Sequence, residues 1–254
     1  MNKNSLDGRH ALVTGGGTGI GLAIAQALSN EGSMVTIAGR TEAVLERAAE
    51  RFGFHAEVMD VANPASVRDA TESAVAANGP VNIHVANAGI AESMPFGDMS
   101  PGFWRNTMAT NLDGAFYSAK ESLVSMREAD WGRIIFVASV AGLRGLKGAS
   151  AYTVSKHGMV GLARALSEEL RFTGITVNAL CPGYVDTAIV ERSSAEISER
   201  TGRSREEAVQ SLVRLNRHKR LIKPEEVASA ALWLCLPGSE SFNGQAVSIS
   251  GGQV

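Results

Sequence analysis

The 254-residue chain is poor in cysteine, with two, and in aromatic residues, which make up 6%. Cys181 and Cys235 form no CxxC pair and no metal-ligand spacing. That excludes a disulfide framework and points to a reducing, cytoplasmic compartment. His10, His55, His84, His157 and His218 show no ligand spacing either, so no metal is expected. Excess charge of one sign is also missing: 24 Lys and Arg stand against 26 Asp and Glu, for a net charge of −2. No basic field draws nucleic acid, and the stretch Arg214 to Arg220 lacks the interleaved aromatics of a stacking surface. Met1 to His10 is polar, without the apolar core of a signal peptide. Residues 11–30 carry no charge and are long enough to span a bilayer. Five glycines, at 15, 16, 17, 19 and 21, crowd that stretch, so it reads as strand, turn and helix, and no membrane association is expected.

What is present is 44% hydrophobic and 20% charged residues, the balance of a globular chain. At this length about 70% of the unfolded surface is buried on folding. Short Val- and Ile-rich runs at 11–14, 34–38, 55–58, 83–87, 133–139, 175–180 and 246–249 read as strands covered on both faces. Helical segments at 20–29, 42–51, 65–77, 101–125, 151–171 and 224–236 lie between them, with Pro64, Pro101 and Pro224 at helix starts. This alternation predicts an α/β fold, a Rossmann-type doubly wound parallel sheet in three layers, as a single domain over 1–254. A charged stretch at 187–223 breaks the rhythm and reads as a helical substrate lid over the strand ends, or as a solvated excursion.

The first strand ends in Thr14-Gly15-Gly16-Gly17-Thr18-Gly19-Ile20-Gly21. Glycines at Gly15, Gly19 and Gly21 allow a tight turn and let the backbone approach a pyrophosphate resting on the next helix's N-terminus. The second strand ends Gly39-Arg40, where a carboxylate would accept the ribose hydroxyls of NAD(H). None is there. Arg40 offers a planar cation for a 2′-phosphate, which favours NADP(H), though an exposed loop arginine reads the same. Tyr152 and Lys156 stand at i and i+4 on one helix face, a phenol beside a cation that favours its ionised form. Ser139, ending a buried strand, has the hydroxyl to polarise a substrate oxygen.

Together, 14–21, Asn87-Ala88-Gly89, Asn111, Ser139, Tyr152, Lys156 and Pro182-Gly183 resemble the short-chain dehydrogenase/reductases along nearly the whole chain. The resemblance implies a catalytic tetrad of Asn111, Ser139, Tyr152 and Lys156, with Asn111 holding a water in a proton relay. It implies strand order 3-2-1-4-5-6-7, the last two strands resting on the resemblance alone. Lys156 would bind the nicotinamide ribose, and Thr18 and Ile20 fall in the phosphate turn. Asp60 and Val61 fall beside adenine, and Asn87, Ala88 and Gly89 beside the cofactor. Pro182, Gly183, Val185 and Thr187 fall beside the nicotinamide. Family members that bind NADP often add a basic residue in the glycine turn, where this chain has Thr18, so the cofactor assignment rests on Arg40. A homotetramer is implied, built through 101–125, 151–171 and the C-terminal segment.

The resemblance also bears on substrate. Relatives that act on acyl carrier protein present arginines where this chain has Asp130 and Thr173, although Arg127 and Arg171 lie nearby. Relatives that oxidise 3-hydroxybutyrate clamp its carboxylate with polar residues where this chain has Ala91, Ala141 and Ala149. With Leu143 and Tyr184, these alanines describe a roomier, apolar substrate pocket. Arg144 and Lys147 meet an anionic tail such as CoA, or are solvated loop charges. The expected activity is hydride transfer between NADP(H) and a carbonyl or secondary alcohol, as reduction of a 3-oxoacyl thioester or similar bulky ketone. Alternatives are an NAD-dependent secondary- or cyclic-alcohol dehydrogenase and, more distantly, a non-catalytic dinucleotide sensor.

Overall fold

The seven apolar runs become the seven strands of one parallel sheet in the computed structural model, which describes residues 5–254. They are β1 (His10–Thr14), β2 (Met34–Gly39), β3 (His55–Val58), β4 (Val81–Ala86), β5 (Gly132–Val137), β6 (Ile175–Pro182) and β7 (Ala246–Ile249). Their order is β3-β2-β1-β4-β5-β6-β7, as the sequence and its resemblance led us to expect, and every neighbouring pair is parallel. The helices are α1 (Gly19–Asn30), α2 (Glu42–Phe52), α3 (Pro64–Asn78), α4 (Pro101–Met108), α5 (Gly114–Ala129), α6 (Ser150–Glu169), α7 (Ala188–Thr201), α8 (Arg205–Val213) and α9 (Pro224–Trp233).

Alternate side chains of a strand point to opposite faces, and β1 divides its apolar residues accordingly. Ala11 and Val13 join a core with Ile24 and Leu28 of α1 and Val227 and Ala231 of α9. Leu12, between them, joins the opposite core with Val67 of α3, Ala119 of α5 and Met159 of α6. The sheet is thus the middle of three layers. One polar group interrupts the second core: His84 of β4 is fully buried, with its two ring nitrogens 3.1 and 3.0 Å from the hydroxyls of Ser118 and Ser122 on α5.

The segment 101–125, read from its periodicity as one helix, is interrupted. A π-helical turn over Ala109–Asp113 separates α4 from α5. The wider turn takes up an extra residue, a local cost that proteins often accept at functional sites, and here it carries the buried Asn111. Helix starts differ in a telling way. Asn63, Ser100 and Ser204 cap α3, α4 and α8 with their side chains, whereas Thr18 and Thr187 make no side-chain cap on α1 and α7.

Strand order reverses direction at β1, whose neighbours are β2 and β4, and the crevice this leaves outside the strand ends is the ligand site of such sheets. The charged stretch 187–223 contains α7 and α8 and returns through a bridge between Val185 and Ile222. Both cysteines are free and buried. Among the described residues no helix is long and apolar enough to cross a membrane, and no group of His, Cys, Asp and Glu is arranged to hold a metal.

Candidate active site

The glycine turn is tied to the end of β4. Asn87 Nδ2 donates to the carbonyls of Thr14, at 2.9 Å, and Gly15, at 3.2 Å. In return Thr14 Oγ1 accepts the backbone N–H groups of Asn87 and Ala88. Gly15 has φ +63°, a left-handed conformation that disfavours any side chain. A Cβ on Gly21 would run into the Gly15 carbonyl and the Asn87 amide. Gly19 lies against Thr187, so the uncapped starts of α1 and α7 meet at one edge of the crevice. A backbone cleared of side chains below a helix N-terminus with unspent N–H groups fits a dinucleotide pyrophosphate.

The remaining residues expected to hold cofactor lie along the same edge. Arg40 follows β2, is exposed and forms no ion pair among the described residues. Asp60 Oδ1 accepts the N–H of Ala62, which turns this carboxylate onto its own loop. Val61 is buried against Gly114 of α5.

Tyr152 and Lys156 rise from the first turns of α6, and Ser139 ends the run through β5. Lys156 is buried; its Nζ donates to the Val137 carbonyl at 2.8 Å and lies 5.7 Å from the Tyr152 ring centre. Burial lowers the Lys156 ammonium to about 8. Burial also raises the Tyr152 phenol above its ordinary value, opposed by the Ser139 hydroxyl beside it. The spacing alone predicts that Lys156 pulls this phenol down. In the free chain desolvation wins, because the ammonium is directed at Val137 rather than at the phenol oxygen. Cys181 lies behind these groups, fully buried, its thiol pushed up to about 11 by desolvation, which makes it packing rather than a nucleophile.

Asn111 has its side chain committed to the loop after β4. Its Oδ1 accepts the Ile90 N–H at 2.8 Å, and Nδ2 donates to the Ile90 carbonyl at 2.9 Å and to Ser155 Oγ at 3.1 Å. Both amide hydrogens are spent on these partners, which fix that loop.

These elements enclose a cleft of about 1070 Å³, open mouth included. Ile20, Asn87, Gly89, Ala91, Ser139, Ala149, Tyr152, Lys156, Pro182, Gly183, Tyr184, Val185 and Thr187 all line it. Ala141 and Leu143 do not: a 3₁₀ turn over Val140–Gly142 carries Ala141 into the fully buried interior, and Leu143 packs against the core on the α6 side. Lys147 lines the cleft and Arg144 does not, although its charge acts on the Tyr184 phenol. Sequence reasoning missed Glu92, Ser93, Leu146, Ile189, Val190 and Ser193, which also line it. The apolar pair Ile189-Val190, with Ser193 one turn on, was the available signal within an otherwise charged stretch.

Comparison with known proteins places these features in a group. The profile of the short chain dehydrogenase family matches residues 9–198. The chain is 38% identical over 255 residues to the monensin polyketide synthase putative ketoacyl reductase of Streptomyces virginiae, covering 96% of each chain. It is 34% identical over 257 residues to the D-beta-hydroxybutyrate dehydrogenase of Cupriavidus necator, covering 98% of this chain and 99% of that one. Among solved structures, a single-substitution variant of the actinorhodin polyketide ketoreductase with NADPH superposes with a TM-score of 0.93 at 34% identity, over 96% of this chain and 97% of that one.

Proposed function

We propose a mechanism and a substrate class for this chain, which belongs to the short-chain dehydrogenase/reductase family and is an oxidoreductase acting on carbonyl and CH–OH groups. The reaction is NADPH-dependent reduction of a ketone, with a 3-oxoacyl thioester or similarly bulky ketone as substrate. The observation that carries it is one cleft joining Ser139, Tyr152 and Lys156 to the glycine turn. The polyketide ketoreductase relatives and the NADPH-bound structural neighbour support it further.

When bound, the dinucleotide supplies the hydride that the carbonyl carbon takes up. Ser139 donates a hydrogen bond to the carbonyl oxygen and holds it beside the Tyr152 phenol. The Tyr152 phenol carries its proton at neutral pH and is the general acid, burial working against its ionisation until the nearby Lys156 charge stabilises the phenolate. Tyr152 gives that proton to the oxygen as negative charge grows there. Lys156, positively charged below pH 8, stabilises the resulting phenolate and holds the ribose hydroxyls. Asn111 keeps the loop of Gly89 and Ile90 in place beside them. In the reverse direction the same groups run alcohol oxidation.

Arg40 binds the 2′-phosphate in this reading, since among the described residues no carboxylate pairs with it and none stands at the end of β2. Residues 187–223 act as the substrate lid, with Ile189 and Val190 as its cleft-facing side. The protein is cytoplasmic and assembles as a homotetramer, in keeping with the exposed Phe116 and Val124 on α5 and Val154 on α6. The test is parallel titration with NADPH and NADH by nicotinamide fluorescence, followed by turnover of 3-oxo esters and thioesters. Tighter NADPH binding and turnover of these ketones are expected. Preference for NADH, with activity confined to alcohol oxidation, would overturn the reading.

A further inference from the structure

One stretch of the cleft wall is fixed by a buried amide side chain. Tyr184 lines the cleft, and its backbone is gripped on both sides by Asn216, which is fully buried. Asn216 Oδ1 accepts the Tyr184 N–H at 3.1 Å, and its Nδ2 donates to the Tyr184 carbonyl at 2.9 Å. Ile222 N–H donates to that carbonyl too, at 2.9 Å. A fixed backbone leaves the phenol a defined reach.

Arg144 is the charged residue whose field reaches this phenol. Its backbone N–H closes the turn after Ser139 onto the Val140 carbonyl at 3.0 Å, its Nε is buried with no hydrogen-bond partner, and it forms no ion pair among the described residues. The field of an unneutralised guanidinium makes a phenol within its reach a stronger donor. Its charge indeed opposes the rise that burial imposes on Tyr184. Tyr152 and Tyr184 line the same cleft, so a substrate held by one phenol is within reach of the other. Elsewhere in the cleft Lys147 and Glu92 carry opposite charges.

We infer that Tyr184 donates a hydrogen bond to a second carbonyl oxygen of the substrate, next to the one being reduced, and that Arg144, acting through Tyr184, positions and polarises this donor. This rests on the reading of the cleft as a ketone-reducing site and narrows it to 3-oxo esters, thioesters and related dicarbonyls. A donor left unpaired in the cleft is what discriminates against a ketone lacking the second oxygen.

Two substrates separate this from simple bulk: ethyl 3-oxobutanoate and 4-ethoxybutan-2-one, which differ only in the ester carbonyl oxygen. The readout is the ratio of their kcat/KM values, in which the ketones' own reactivities cancel between wild type and variant. Tyr184→Phe is expected to lower that ratio about tenfold, the worth of one desolvated hydrogen bond. Arg144→Gln should lower it by a smaller factor and Arg144→Lys should restore it. In the Tyr184→Phe background Arg144→Gln should change it no further, a result that a merely structural arginine would not give. A ratio unchanged within twofold in Tyr184→Phe overturns this inference and leaves the proposed function standing. A wild-type protein that reduces neither ketone with either nicotinamide overturns both.

Discussion

Acid should weaken this fold through one buried imidazole. His84 has its ring between Ser118 and Ser122 in the core under α5, and desolvation lowers its pKa from 6.5 to about 3. Above pH 6.5 neither the folded nor the unfolded chain protonates this ring, and the contribution to stability is complete. As pH falls through 6.5 the unfolded chain binds a proton that the folded chain refuses. Stability then drops by ~1.4 kcal/mol per pH unit until the folded value near 3 is reached. Between pH 8 and pH 5 the loss from His84 alone is about 2 kcal/mol. His10, also held below its ordinary value by burial, adds a loss of the same sign. The assay is urea unfolding at pH 8 and pH 5, at one protein concentration, for the wild type and His84→Gln. Glutamine hydrogen-bonds a serine hydroxyl without titrating, so its own pH-dependent loss should be smaller by about 2 kcal/mol. With m of about 3 kcal/mol/M, that is a difference of roughly 0.7 M in the midpoint shift. Equal losses in the two proteins would show that the His84 ring accepts its proton inside the fold, and the reasoning would fail.

Tyr152→Phe should reduce ketone turnover at least ~100-fold while NADPH affinity measured by fluorescence stays within a few-fold; near wild-type rates would remove Tyr152 from the mechanism. Arg40→Asp should raise the NADPH dissociation constant about tenfold or more and shift preference toward NADH, and an unchanged NADPH affinity would show that the 2′-phosphate is bound elsewhere. Gly21→Ala places a methyl group against the backbone carbonyl of Gly15, so we expect lost dinucleotide affinity together with a destabilisation of about 1–3 kcal/mol in urea unfolding.

Much of this architecture was legible because it depends on local patterns. Strands buried on both faces announce themselves as continuous apolar runs, and glycines clustered between the first of them and a helical segment mark a tight turn. The pair Tyr152 and Lys156 needed only helical period to be placed on one face. The rest depended on contacts distant in sequence or on irregular backbone. A π turn has the same composition as the helix it interrupts, so 101–125 gave no sign of the break at Asn111. Ala141 matches a carboxylate-clamping position of 3-hydroxybutyrate-oxidising relatives, but the 3₁₀ turn that follows Ser139 rotates it into the core. Asn216 holds Tyr184 from 32 positions away, and nothing in either neighbourhood marks the pairing. The phenol of Tyr152 shows a further limit. Spacing placed a cation near it, but which lone pair that cation's protons seek is decided by the Val137 carbonyl, a backbone atom invisible to any motif.

The bridge between Val185 and Ile222, with the Asn216 clamp on Tyr184, has a meaning for descent as well as for structure. It closes the α7–α8 excursion at its base, so the residues in between form a cassette whose two ends are fastened before its contents are specified. Lengthening such a closed loop costs only a fraction of a kcal/mol per doubling. Provided Thr187 against Gly19 and Asn216 on Tyr184 are kept, helices there can be exchanged or recharged without disturbing the sheet, while Ile189 and Val190 sit where such an exchange would be felt by substrate. A lineage can thus acquire new ketones by rewriting one insert while leaving the proton-transfer groups untouched.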